Sequence, residues 1–188
     1  MTARWVVDEV APERELEINW KSISLYFKNE IDDTDSPVYK THQLLRVFEA
    51  IKAAEGNEAA QAFYWECGRQ IHHDGRRDDL TTEDLLEAAG LDVAYASAMD
   101  DAATWDPVIE DAMNEGLALA GDDIGTPIIT FDNSLGERVG YFGPVITRVP
   151  DTQSSLDLWD GLIMISTVPG FWELKRTRTE RPDFGPRP

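Results

Sequence analysis

The stretch "GDDIGTPIITF", residues 121–131, sets a Gly-Thr-Pro at the mouth of a β-branched run. Gly125 permits a turn that a residue with a Cβ resists. Thr126 precedes a proline and is pushed toward extended geometry. Pro127 has no N–H for a ladder, so it belongs at the start of a strand and not inside one. A strand over 126–131 follows. The next residues, "DNSLGE" at 132–137, are turn chemistry, and "RVGYF" at 138–142 alternates as a second strand. Together they predict an antiparallel hairpin. "GPV" at 143–145 is a break, and "DTQSSLDLWDGLIMIS" at 151–166 is a helix with Leu156, Trp159, Leu162 and Ile163 on its inner face.

Upstream of the hairpin the pattern is helical. Ser36 caps a helix with Pro37 at its first position, and Val38, Leu44, Leu45, Phe48 and Ile51 form its apolar face until Gly56 stops it. A second helix runs from Asn57 to about His73. A short one follows a cap at Thr81 or Thr82 and stops at Gly90, and another is capped by Asp92. A longer helix takes Asp106 as cap with Pro107 in its first turn, ending by Gly121. Before this block, "ELEINWKSISL" at 15–25 alternates and predicts a strand. "TARWVVDEV" at 2–10 looks like the last turns of an amphipathic helix ended by Pro12. A lone strand, an all-helical block, a hairpin and a helix make an α/β or α+β layout with a helical insertion.

The whole chain bounds its class. Hydrophobic residues are 42% of 188, with six Trp, five Tyr and seven Phe, enough for a packed core. No apolar run is long enough for a membrane span, and the acid-bearing start does not read as a signal peptide, so a cytoplasmic protein is expected. The net charge of −19 is uneven. Residues 78–137 hold sixteen Asp or Glu and no Lys or Arg. That field repels nucleic acid and anionic lipid, so neither is an expected partner. The tail reverses the sign, with Lys175, Arg176, Arg178, Arg181 and Arg187. It is read as a solubilising tail, or as one that folds back on the acidic region or engages an anionic cofactor.

The stretch around Gly-Thr-Pro, "YFGPV", "RQIHHDG" at 69–75 and above all "LWDGLIMIS" with "PGFWELKRTRTERPDF" resemble the DsbA-like thioredoxin-fold family, in particular its actinobacterial mycothiol-dependent oxidoreductase and nitroreductase group. The resemblance covers nearly the whole chain. It implies a thioredoxin-like α/β fold, N-terminally incomplete with β1 absent, and an all-helical insertion between β2 and β3. The implied boundaries are 1–33 and 121–174 for the thioredoxin-like part, 34–120 for the insertion and 175–188 for the basic tail. It also implies that Pro127 is a cis proline. With Gly125 and Thr126 it would dock a thiol or disulfide substrate, and His72, Gly143 and Pro144 would lie in the cleft. No bound cofactor is implied; mycothiol or a similar small thiol is the co-substrate.

One departure dominates. The family opens with a strand and a Cys-x-x-Cys at a helix start, where the helix terminus stabilises the thiolate. This sequence has one cysteine, Cys67, and no Cys-x-x-Cys. Cys67 sits mid-helix beside Glu66, which raises its pKa, so it is read as structural. Met1-Thr2 offers no nucleophile with an evident base. His72 and His73 are adjacent, point about 100° apart on a helix and cannot chelate one ion together; their simplest role is to complement a helix C-terminus. His42 is read as a surface residue. No zinc, phosphate-loop or nucleophile-elbow motif is present. Two readings follow. In one, the chain starts at an internal Met of a thiol-disulfide oxidoreductase and is inactive without its catalytic segment. In the other, it is a non-catalytic binding module that takes up a small thiol or peptide, or forms a homodimer.

Overall fold

The computed structural model describes residues 1–77 and 79–188. It divides into two compact units, one of Met1–Ile18 with Gly116–Gly185, the other of Asn19–Glu115 with Pro186–Pro188. The architecture is mixed α/β, with eight α-helices and a two-stranded sheet among the described residues.

The helical unit holds α3 (Leu25–Lys28), α4 (Pro37–Glu55), α5 (Asn57–Gly68), α6 (Thr82–Ala88) and the greater part of α7 (Ala102–Ala120). Its caps are those the sequence announces. Ser36 accepts from the Val38 N–H, Thr81 from Asp84 and Asp92 from Ala94, the last opening a 3-10 segment over Val93–Asp100. α5 runs on through a π-helical turn, Arg69–His73. The core is Val47, Ile51, Phe63, Leu85 and Leu86, each at or near full burial, with Leu44, Phe48 and Leu80 around them. Each such side chain contributes roughly 1.5–3 kcal/mol by leaving water.

The sequence misplaces one cap here. α7 begins at Ala102, four residues before Asp106, and Pro107 lies inside it. Asp101 is the cap, its carboxylate accepting from the Thr104 N–H at 3.2 Å. Asp106 is committed elsewhere, to Arg46 and His42.

The strand expected over 15–25 does not form. Residues 16–24 are irregular, and no sheet partner lies beside them among the described residues. Side chains of the helices meet this backbone instead. The Trp20 N–H donates to Asn57 Oδ1 at 2.9 Å, and the Trp20 carbonyl accepts from Lys52 Nζ. With both main-chain groups of Trp20 satisfied by these side chains, that residue needs no ladder partner.

In the other unit, α1 (Thr2–Arg4), a π-helical stretch (Trp5–Val10) and α2 (Ala11–Arg14) follow one another directly. Pro12 therefore does not end the helix. The Ala11 N–H donates to Val6 O across the wider π turn, and Pro12, which has no N–H, sits just past the change of register. The helix stops at Glu15, which takes φ +50°. β1 (Ile128–Asp132) pairs antiparallel with β2 (Arg138–Phe142), from Ile128↔Phe142 to Asp132↔Arg138. Asn133 builds the turn: its Oδ1 accepts the N–H groups of Leu135 and Glu137, both at 3.0 Å. α8 (Thr152–Ile165) is capped by Asp151.

The core of this unit is aromatic. Trp5 and Trp159 meet at 6.0 Å between ring centres, and Phe131 meets Trp159 at 5.8 Å. The Trp5 indole N–H donates to the Ser155 carbonyl at 3.3 Å. Gly140 admits the last turn of α7 against β2, since a Cβ there would lie 2.6 Å from Leu119 Cβ. That contact fixes where the 121–127 loop begins.

Candidate functional site

The loop that enters β1 and the loop that leaves β2 form one corner. The Thr126–Pro127 and Gly143–Pro144 peptide bonds are both cis. The Gly143 N–H donates to the Pro127 carbonyl at 2.8 Å, one step beyond the last ladder pair, Ile128↔Phe142. Gly143 has φ +97°, and a Cβ on it would come within 3.0 Å of the Val145 nitrogen, so the turn requires glycine. The Thr2 hydroxyl donates to the Pro144 carbonyl at 2.7 Å, which ties the first helix to the same corner. Gly125 faces the Phe142 ring, at ordinary contact distance from where its Cβ would be.

Thr126 is exposed. Among the described residues no hydrogen bond reaches its N–H or its carbonyl. An exposed main-chain donor and acceptor at a strand entrance can pair with one extended ligand segment. The structure thus brings Gly125, Thr126, Pro127, Gly143 and Pro144 together. His72 lies in the other unit, in the π-helical turn after α5. Burial and the Arg77 guanidinium hold His72 below the usual imidazole range.

Cys67 lies in the third turn of α5. Burial pushes its thiol up to about 12, and the neighbouring Glu66 carboxylate adds to the shift. A thiol held that high carries almost no thiolate at neutral pH, and the thiolate is the nucleophile.

The expectation for His42 is reversed. It is 1% exposed, on the inner face of α4. Its Nε2 lies 3.1 Å from Asp106 Oδ1 and its Nδ1 lies 3.0 Å from Ser24 Oγ. Asp106 can only accept, so Nε2 carries the proton and Nδ1 accepts from the Ser24 hydroxyl. The Ser24 oxygen in turn accepts from the Phe27 N–H at 3.2 Å, capping α3. Arg46 reaches Asp106 through Nε at 2.6 Å and Nη2 at 3.0 Å, and the Met99 carbonyl through Nη1 at 2.6 Å. Burial, with the Arg46 charge beside it, holds His42 below the usual imidazole range against the pull of Asp106.

Serine, imidazole and carboxylate in sequence are the parts of an acyl-transfer triad. Ser24 is fully buried here, so no substrate carbonyl reaches its hydroxyl. The network joins α3, α4 and α7 and is structural. Sequence reading missed it, although His42, Arg46 and Glu49 recur at helical spacing as a polar strip on α4. Glu49 is buried as well, and accepts from the Ser22 hydroxyl at 2.6 Å.

Among the described residues no cluster of three His, Cys, Asp or Glu is placed to hold a metal ion. Nor, among the described residues, is any helix long and apolar enough to cross a membrane.

A family model described as Rv2466c-like, mycothiol-dependent nitroreductase Rv2466c, matches residues 1–176. The chain belongs to this family. It is also 25% identical over 185 residues to the uncharacterised protein Rv2286c of Mycobacterium tuberculosis strain H37Rv, spanning 95% of this chain and 76% of that one. The family match covers both loops of the corner, the whole helical unit up to Glu115, and α8.

Proposed function

We propose that this chain docks the thiol co-substrate of a mycothiol-linked thiol-disulfide oxidoreductase at the corner of its hairpin unit. Thr126, between Gly125 and Pro127, offers its main chain to the thiol or disulfide co-substrate, with Gly143 and Pro144 forming the neighbouring wall. Mycothiol is the small thiol because the family is named for dependence on it. The hairpin entered through Gly-Thr-Pro, the helical block before it and α8 after it are proposed as the back of a DsbA-like thioredoxin fold. On that reading 34–120 is the insertion and 175–188 the basic tail.

The observation that carries the reading is the unpaired, exposed main chain of Thr126 beside a turn that requires Gly143. Thiol-disulfide exchange needs an attacking thiolate and a leaving thiol. Cys67 is the sole cysteine and is pushed up to about 12, so these residues supply the docking surface and not the nucleophile. A mixture of the purified chain with mycothiol disulfide and a thiol reductant tests this. Reduction at the uncatalysed rate is expected. Turnover that disappears in Cys67→Ala would overturn the assignment.

A further inference from the structure

The helical unit carries an open groove of about 460 Å³ that the thiol-docking corner does not use. Its floor is Ala50, Ala53, Ala54 and Ala98, with Trp105 at one wall and Asp101 at the rim. The alanines keep the floor low, so a bulky apolar side chain can approach the backbone of α4 closely. Ala94, Tyr95 and Ser97 of the 3-10 segment lie on the same side as Asp101 and Trp105, and these residues all belong to the stretch 78–137 that has no Lys or Arg. Asp101 is the acid among the lining residues.

The same chain carries a strip of matching chemistry. Phe171 is anchored, its ring 6.5 Å from that of Tyr141. Directly after it, Trp172 is 85% exposed and Leu174 is 84% exposed. Lys175, Arg176 and Arg178 follow at once. Among the described residues no hydrogen bond or ion pair engages Trp172 through Thr179. Two large apolar side chains left in water beside three cations are uncommon on a monomer surface, and aromatic anchors with flanking Arg are the usual composition of an interface centre.

We propose that the Trp172–Arg178 strip of one copy seats in the alanine groove of a second copy, reciprocally, giving a closed dimer. Trp172 and Leu174 fill the groove, and Lys175, Arg176 and Arg178 face Asp101 and the acidic stretch it belongs to. Charge complementarity selects this occupant: the strip carries three cations against one acid, Glu173, while Asp101 lines the groove within a stretch, 78–137, that has no Lys or Arg. A reciprocal exchange closes with two identical contacts and leaves no unfilled groove.

Sedimentation velocity of the full chain across a concentration series, at low and at high salt, tests the pairing. The expected result is a concentration-dependent dimer whose dissociation constant rises at least tenfold from 50 to 500 mM salt. Two variants address the two partners separately: Trp172→Ala with Leu174→Ala removes the anchors, and Ala54→Phe fills the groove at an exposed position. Each is expected to weaken the dimer at least tenfold, with circular dichroism unchanged. A monomer at every concentration, as when the strip seats in its own groove, overturns the proposal. So does a dimer that either variant leaves intact. Neither result bears on thiol docking at Thr126.

Discussion

The two units solve opposite problems. The helical unit contains the only thiol and keeps it half-buried: Cys67 is inside α5 with its thiol pushed up to about 12. The hairpin unit contains no thiol and leaves a main-chain edge open at Thr126. Their interiors differ in the same sense. The hairpin unit is held by ring contacts among Trp5, Phe131 and Trp159. The helical unit spends buried volume on charge, with Arg46, His42 and Asp106 joining three helices. A thiol in a protein is therefore no guide to where its thiol chemistry lies. Activation and access decide that, and a thiol pushed up to about 12 is poorly activated.

The strongest way to break the contrast is at Arg46. Arg46→Ala leaves the Asp106 carboxylate without its bidentate partner and His42 without its neighbour. Removing one member of a buried pair costs about 3–5 kcal/mol, and since a quarter of the Asp106 side chain is exposed, about 3 kcal/mol is expected. Urea unfolding measures it. A loss below about 1 kcal/mol would show that the network does not hold the helical unit together.

Next in size is a pH effect. His42 and His72 both sit below the usual imidazole range in the folded chain, chiefly through burial. The unfolded chain therefore binds these protons first as pH falls through about 6.5, the ordinary imidazole value. Stability is complete above that pH and declines below it. Unfolding free energy measured from pH 7.5 to 5 should fall, and His42→Gln should flatten the decline in part, leaving the share of His72. A stability that rises over this window would reverse the assigned protonation.

The smallest effect concerns Cys67. Alkylation of the native chain at pH 8 should run at least about a hundredfold slower than in denaturant, because the thiolate is scarce. Equal rates would place the thiol in solvent and remove the contrast between the units.

How much of this was legible depended on how local the cause was. The hairpin was readable because Gly-Thr-Pro and Asn-Ser-Leu-Gly act within a few residues. The Ser36, Thr81 and Asp92 caps were readable for the same reason. Residues 15–25 alternate like a strand, yet the groups that satisfy the Trp20 backbone, Asn57 and Lys52, lie on helices distant in sequence. Asp106-Pro107 has the form of a helix start, but Asp101 takes that role and frees Asp106 for Arg46. His42 has no local mark of burial; only the helical spacing with Arg46 and Glu49 hinted at it. The corner was visible in part. Gly125, Thr126, Pro127, Gly143 and Pro144 could be named from sequence, but not the Gly143 N–H bond to Pro127 or the Thr2 hydroxyl on Pro144.

The most direct measurement is a backbone NMR titration of the 188-residue chain with reduced mycothiol. Docking at the main chain of Thr126 predicts saturable shifts of the Gly125, Thr126, Ile128 and Gly143 amides, with Cys67 unchanged. Shifts centred on Cys67, or none at the corner at millimolar thiol, would contradict it.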